Sequence, residues 1–168
     1  EETYMHIYSP GSISTEEGTV ILNDSGADNP LGIRINQKSY ADVSFETRNG
    51  VVFHYTIVNE SGSDLSGLYA GLFFDWDIVD PLVNSAHYNA DYQMVFAQNL
   101  PENPTHLAGT MLLNLGLGAN IDAMHDWGDD IYSYSDETKW SHMTGGVNDE
   151  SAFNVNVSTY TGIGPVDI

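Results

Sequence analysis

Apolar and polar positions alternate with a period of two along most of this chain, the spacing that puts successive side chains on opposite faces of a strand. The pattern predicts strands over residues 4–8, 19–23, 41–47, 50–59, 68–78, 91–97, 108–116 and 152–160. Each run is rich in β-branched or aromatic residues, and Gly, Asn, Asp, Pro or Ser bounds most of them. In one run Val51, Phe53, Tyr55 and Ile57 alternate with Val52, His54, Thr56 and Val58. Both faces are largely apolar, which predicts a central strand covered on both sides. The preceding Arg48-Asn49-Gly50 carries an Asn-Gly step, the strongest short-range hairpin signal. Residues 60–66 read as a polar loop joining the next pair of strands.

The run over residues 68–78 has one unbroken apolar face of Leu68, Ala70, Leu72, Phe74, Trp76 and Ile78. Its other face, Tyr69, Gly71, Phe73, Asp75 and Asp77, is the one left to solvent or to a site. A single helix is expected near residues 136–143, with Ser135 as its cap, Asp136 and Glu137 in its first turn and Gly145-Gly146 to end it. Trp140 and Met143 are the expected anchors of its inner face. The fold class is therefore all-β, an antiparallel β-sandwich of jelly-roll or Ig-like type with that one short helix, in a single domain over residues 1–168.

Charge narrows the functional classes. The chain has 24 acidic residues against four Lys and Arg, a formal net charge of -20. Such a surface repels phosphate backbones and anionic lipid, which excludes nucleic acid and membrane as expected partners. No run is long and apolar enough to cross a membrane as a helix. Cysteine is absent, which removes disulfides, thiolate chemistry and Cys-type zinc sites. Acidic, Lys-poor and rich in Asn, Ser, Thr, Gly and Tyr, the composition points to a bacterial extracellular domain. A start at Glu1, without an initiator Met or signal peptide, reads as a mature form or a segment excised from a larger secreted protein.

The candidate chemistry centres on Asp75, Asp77 and Asp80, a D-x-D-x-x-D cluster at the end of an apolar strand. An uncompensated carboxylate against apolar surroundings costs several kcal/mol, so these groups need water, backbone donors, a cation or a metal. Asn84 adds a carbonyl oxygen nearby. Calcium takes six to eight hard oxygen ligands, and Asp75, Asp77, Asp80 and Asn84 are the expected ligands; the alternative is an acidic strand end satisfied by solvent or a turn. The spacing is not that of an EF-hand. Asp122, Asp126, Asp129 and Asp130 form a second acidic cluster around Trp127, read as a solvated loop or a cation site. The six histidines form no HxH, HxxxH or HExxH pair. No G-x-S-x-G elbow or glycine-rich phosphate loop occurs. Paired carboxylates at Asp75 and Asp77 also meet the separation a glycosidase requires. Tyr88, Tyr92, Tyr132 and Tyr134 are the candidate sugar-stacking residues.

Three stretches in this order carry a resemblance: Gly71 to Ile78 (GLFFDWDI), Asp136 to Trp140 (DETKW) and Gly162 to Pro165 (GIGP). With them the chain resembles an accessory β-sandwich domain of large secreted proteins of the Bacteroidota and related bacteria, often C-terminal to a subtilisin-like protease domain. The resemblance implies a secreted or cell-surface location and a modular role, and it carries over no catalytic residue. The expected function is a non-catalytic extracellular accessory or binding domain, calcium-stabilised at the strand end. Its expected partners are neighbouring domains of the same polypeptide and a cell-surface glycan or protein. The alternatives are a polysaccharide-active enzyme using paired carboxylates, and a carbohydrate-binding module.

Overall fold

The structure, a computed structural model, describes residues 5–44, 46, 48–99, 102–113, 119–125, 135–148, 152–155 and 157–168. Among these residues it is mostly β, with one α-helix and a sandwich-like all-β architecture. The Cα framework divides into two compact units: the residues up to Leu65 together with Ile168, and residues 66–167.

The first unit is a four-stranded antiparallel meander of β1 (His6–Tyr8), β2 (Glu16–Asn23), β3 (Ile33–Ala41) and β4 (Val51–Asn59), in that spatial order. Register fixes its two faces. One carries the rows Gly18–Ser39–Phe53, Val20–Gln37–Tyr55 and Leu22–Ile35–Ile57. The other carries Thr19–Lys38–His54, Ile21–Asn36–Thr56 and Asn23–Arg34–Val58. The first face is apolar and the second mixed, yet none of the unit's described residues is buried. Its loops are tied by polar side chains instead. The Asp24 carboxylate accepts from the N–H groups of Leu31, Gly32 and Ile33 at 2.5, 3.0 and 3.1 Å. At the unit's end Leu65 and Ile168 exchange two backbone hydrogen bonds of 2.9 Å, and Asn59 Nδ2 donates to the Ile168 carbonyl at 3.0 Å.

The second unit is the sandwich. One sheet has the order β10–β9–β12–β5, from β5 (Leu68–Trp76), β9 (Ala119–His125), β10 (Val147–Asn148) and β12 (Val157–Val166). The other has the order β11–β6–β7–β8, from β6 (Asn84–Asn89), β7 (Met94–Asn99), β8 (Leu107–Met111) and β11 (Ala152–Val155). All pairs are antiparallel except the two-residue pair of β10 with β9. The sheets enclose Ala86, Val95, Ala97, Ile121 and Val157, with Trp76, Ile78 and Tyr88 packed against them. Polar groups inside the sandwich are paired: Trp76 Nε1 donates to Thr159 Oγ1 at 2.8 Å, and the Thr110 and Thr161 hydroxyls meet at 2.6 Å. The first and last strands, β5 and β12, are hydrogen-bonded neighbours, and Gly67 N–H donates to the Asp167 carboxylate at 2.9 Å. Chain entry and exit of this unit therefore lie side by side.

The helix α1 (Asp136–Thr144) forms where expected, with the Ser135 side chain accepting from Thr138 N–H at 3.2 Å. It packs against β5, β9 and β12. Trp140 meets Tyr69 edge-on, with ring centroids 5.2 Å apart. Under the helix lies the outward face of β5 and β12. There Gly71 and Gly162 are a cross-strand pair, and the Tyr160 ring lies over both, where a Cβ at either position would collide with it. This is an aromatic ring covering strand glycines.

Several expectations need correction. The strand over residues 50–59 is not central: among the described residues β4 is the edge of its sheet, with β3 as its one neighbour. Its two-sided apolarity marks an exposed strand, not a doubly covered one. The Asn-Gly step does lie between two paired strands, but the connection spans residues 42–50 and the ladder before it is β3, not residues 41–47. β3 escaped the pattern because Arg34, Asn36, Gln37, Lys38 and Ser39 make a polar strand, one that antiparallel neighbours on both sides hold in place. β4 and β5, which residues 60–66 connect, lie in different sheets.

Candidate functional site

The strand end at residues 75–84 sorts its side chains by the period of β5. Leu72, Phe74, Trp76 and Ile78 are half-buried on the core side, and Gly71, Phe73, Asp75 and Asp77 are exposed on the other. Asp75 lies opposite Ser158 in the β5–β12 ladder, and Ser158 Oγ donates to Asp75 Oδ1 at 3.4 Å. Asp77 follows the last strand residue, Trp76. Asp80 caps the short 3-10 turn Pro81–Val83 by accepting from Leu82 N–H at 3.1 Å.

Asn84 is committed elsewhere. It is fully buried at the start of β6. Its Oδ1 accepts from Ile78 N–H at 2.9 Å, and its Nδ2 donates to the carbonyls of Ile78 at 2.9 Å and Asp80 at 2.6 Å. One amide thus closes the loop from three directions. Between its anchor points Asp80 N–H donates to the Ile78 carbonyl at 2.8 Å, and Val79 sits at φ 64°. This is a γ-turn in the left-handed region, a strained arrangement and an unusual one for a β-branched residue. The structure therefore brings Asn84 to the loop backbone, while Asp75, Asp77 and Asp80 stay on the exposed side. Among the described residues no group of three or more His, Asp or Glu side chains is placed to hold a metal ion.

Asn99, directly across the β6–β7 ladder from Asn84, does the same for the next loop. It is buried, its Oδ1 accepts from the N–H groups of Thr105 and His106 at 3.1 and 2.8 Å, and its Nδ2 donates to Thr105 Oγ1 at 3.0 Å. The cross-strand asparagine pair fixes two loops at one end of the sheet. Sequence reasoning named only Asn84, and as a metal ligand. The signal that would have found the pair is that both asparagines stand at a strand end beside a loop, Asn84 just after one and Asn99 just before one.

Two carboxylates elsewhere meet a cation, Glu60 with Arg34 at 2.5 Å and Asp136 with Lys139 at 3.3 Å, while others are satisfied by N–H and O–H donors. Glu17 accepts from Ile13 N–H, and from Ser14 N–H at 3.2 Å, which holds its carboxyl below its ordinary range. Asp42 is lowered likewise, by the Thr15 hydroxyl at 2.6 Å and then by Val43 N–H at 2.8 Å. With four basic residues for 24 acids, backbone amides take a large share of the compensation.

His87 Nε2 lies 3.0 Å from Ser85 Oγ, a pairing the sequence scan did not anticipate. Ser85 is fully buried, so its hydroxyl cannot meet a substrate, and the contact satisfies a buried donor. Burial holds the His87 imidazole below its ordinary pKa, and its ring stacks on Phe96 with centroids 5.3 Å apart. Of the proposed stacking tyrosines, Tyr88 packs against the core and Tyr92 is 62% exposed. Tyr132 and Tyr134 lie outside the described residues, as do Asp126, Trp127, Asp129 and Asp130 of the second acidic cluster; Asp122 lies on β9.

The fold and this strand end define an acidic all-β protein with a two-sheet sandwich unit in which buried amides close two loops and Asp75, Asp77 and Asp80 lie outside the core. No family model, no curated protein and no solved structure matches the chain.

Proposed function

We propose that this chain is a non-catalytic, secreted or cell-surface accessory domain that presents or stabilises neighbouring domains of its polypeptide. The observation that carries the reading is the joined entry and exit of the sandwich unit, made by β5 beside β12 and by Gly67 on Asp167. A unit entered and left at one point can be appended to a larger polypeptide without separating the segments that flank it. The composition supports an extracellular setting. A glycan array of neutral and anionic glycans separates presentation from recognition. A blank array is the expected result; concentration-dependent binding to one glycan class would replace this reading with a carbohydrate-binding module.

Calcium stabilisation is the second reading, favoured by the exposure of Asp75 and Asp77 on one side of the strand end with Asp80 beyond them. The ligand set narrows to these three carboxylates, because the Asn84 oxygen is already used. Melting in EDTA, in calcium and in magnesium at matched ionic strength tests it. A calcium-selective rise supports the site, and equal small rises for both ions reduce the effect to screening of the acidic surface.

A further inference from the structure

We propose that Asn49 is a site of spontaneous covalent modification, at which its side-chain amide becomes an aspartyl or isoaspartyl carboxylate. The step needs no enzyme. The Gly50 backbone nitrogen attacks Asn49 Cγ, an N–Cγ bond forms, the Cγ–Nδ2 bond breaks, and Nδ2 leaves as ammonia with the proton from Gly50 N–H. Water, the co-reactant, then opens the cyclic succinimide at either carbonyl. Opening at the side-chain carbonyl gives aspartate in an unaltered main chain. Opening at the Asn49 main-chain carbonyl gives isoaspartate, with the main chain rerouted through Cβ and Cγ. Nucleophile and carbonyl sit on adjacent residues, so the attack is intramolecular. A glycine brings no Cβ to obstruct it and leaves the backbone free to turn into it.

Sequence and structure both single out this asparagine. Asn49-Gly50 is the chain's single Asn-Gly step, and every other asparagine is followed by a residue with a Cβ. Asn29 and Asn103 precede Pro30 and Pro104, whose nitrogens carry no N–H to lose. Asn59, Asn84 and Asn99 use both ends of their amides in hydrogen bonds. Asn84 and Ser85 are also fully buried in the β6–β7 ladder, where neither water nor a change of backbone angle is available. Asn49 has none of these restraints. It lies exposed in a turn of the 42–50 connection, between exposed Arg48 and Gly50, and among the described residues no hydrogen bond ties its side chain. The site also has a structural consequence. Val51, next after Gly50, pairs with Ala41 in the β3–β4 ladder. Isoaspartate adds a methylene to the main chain directly before that pair, and either product adds a negative charge to the net -20.

Incubation of the full chain for weeks at mildly alkaline pH and body temperature tests this, followed by anion exchange and chymotryptic mapping. Cleavage after Phe45 and Phe53 isolates residues 46–53. The expected result is a more acidic form that grows with time, and faster as hydroxide rises. The amide-to-acid mass change should fall in residues 46–53, and that peptide should split into two chromatographic forms. An Asp-specific endoproteinase should cut one of them and leave the isoaspartyl form whole. Gly50→Ala should slow the change several-fold, and Asn49→Gln should abolish it in that peptide. The same chain in guanidinium chloride isolates the part played by the fold. Asn49 should convert at a folded rate within a few-fold of the unfolded one, whereas Asn84 should convert in denaturant alone. Residues 46–53 unchanged at the end of the incubation would overturn the proposal. So would an equal rate in Gly50→Ala, or a folded rate at Asn49 suppressed as far as that at Asn84.

Discussion

Replacing Asn84 with alanine removes three hydrogen bonds at once, those to Ile78 N–H, the Ile78 carbonyl and the Asp80 carbonyl. Each contributes a net ~0.5–1.5 kcal/mol. Val79 and Asp80 are exposed, so water reaches some of the freed groups, and the expected loss is about 2–3 kcal/mol. Urea unfolding followed by tryptophan fluorescence should show it as a midpoint lower by about 1–2 M at an ordinary slope. Asn84→Asp is the sharper variant. Its carboxylate still accepts from Ile78 N–H but now faces two carbonyl oxygens, so at neutral pH it should be at least as destabilised as the alanine variant. Acid should recover part of the loss, because a protonated acid can donate to one carbonyl. A midpoint within error of wild type for Asn84→Ala would refute the latch. So would an Asn84→Asp protein that calcium lifts above wild type, since that would put a cation where the structure has two carbonyls.

Two further outcomes follow from the same region and its neighbour. Val79→Gly should match or exceed wild-type stability, because it relieves a strained γ-turn at φ 64° and removes a side chain that is 74% exposed; a loss of more than about 1 kcal/mol would show that the side chain carries weight. The Tyr160 hydroxyl is buried with no hydrogen-bond partner among the described residues, and burial pushes its pKa up to about 12. The fold favours the neutral phenol, so its contribution is complete below pH ~10 and fades as pH rises from there towards the folded value. Tyr160→Phe should be neutral or stabilising at pH 7 and should lose less stability than wild type between pH ~9 and ~11.5; the same alkaline loss in both proteins would contradict this.

The all-β class, β5 and the helix were legible because their signals are local. The β5 alternation, the Ser135 cap with Asp136 and Glu137, and the glycines after residue 144 each act within a few residues. β6 and β9 escaped the pattern, and the single strand expected over residues 152–160 divides into β11 and β12, in different sheets. β3 was not legible, since a polar strand between two antiparallel neighbours is held by partners the sequence cannot pair in advance. β4 misled for the complementary reason: apolarity on both faces is the same pattern whether a strand is doubly covered or stands exposed at an edge. At the strand end the carboxylates emerged on the exposed side as the alternation required. The role of Asn84 did not, because an amide oxygen near three aspartates reads as a ligand until the loop backbone is seen to occupy it.

Polysaccharide turnover tests the non-catalytic reading most directly. Full-length chain is incubated with a panel of neutral and acidic polysaccharides, and released reducing ends are counted beside the Asp75→Asn, Asp77→Asn double variant. The account expects both proteins to stay at the level of buffer. Turnover by the wild type that disappears in the double variant would make Asp75 and Asp77 the acid/base pair of an enzyme, and would contradict it.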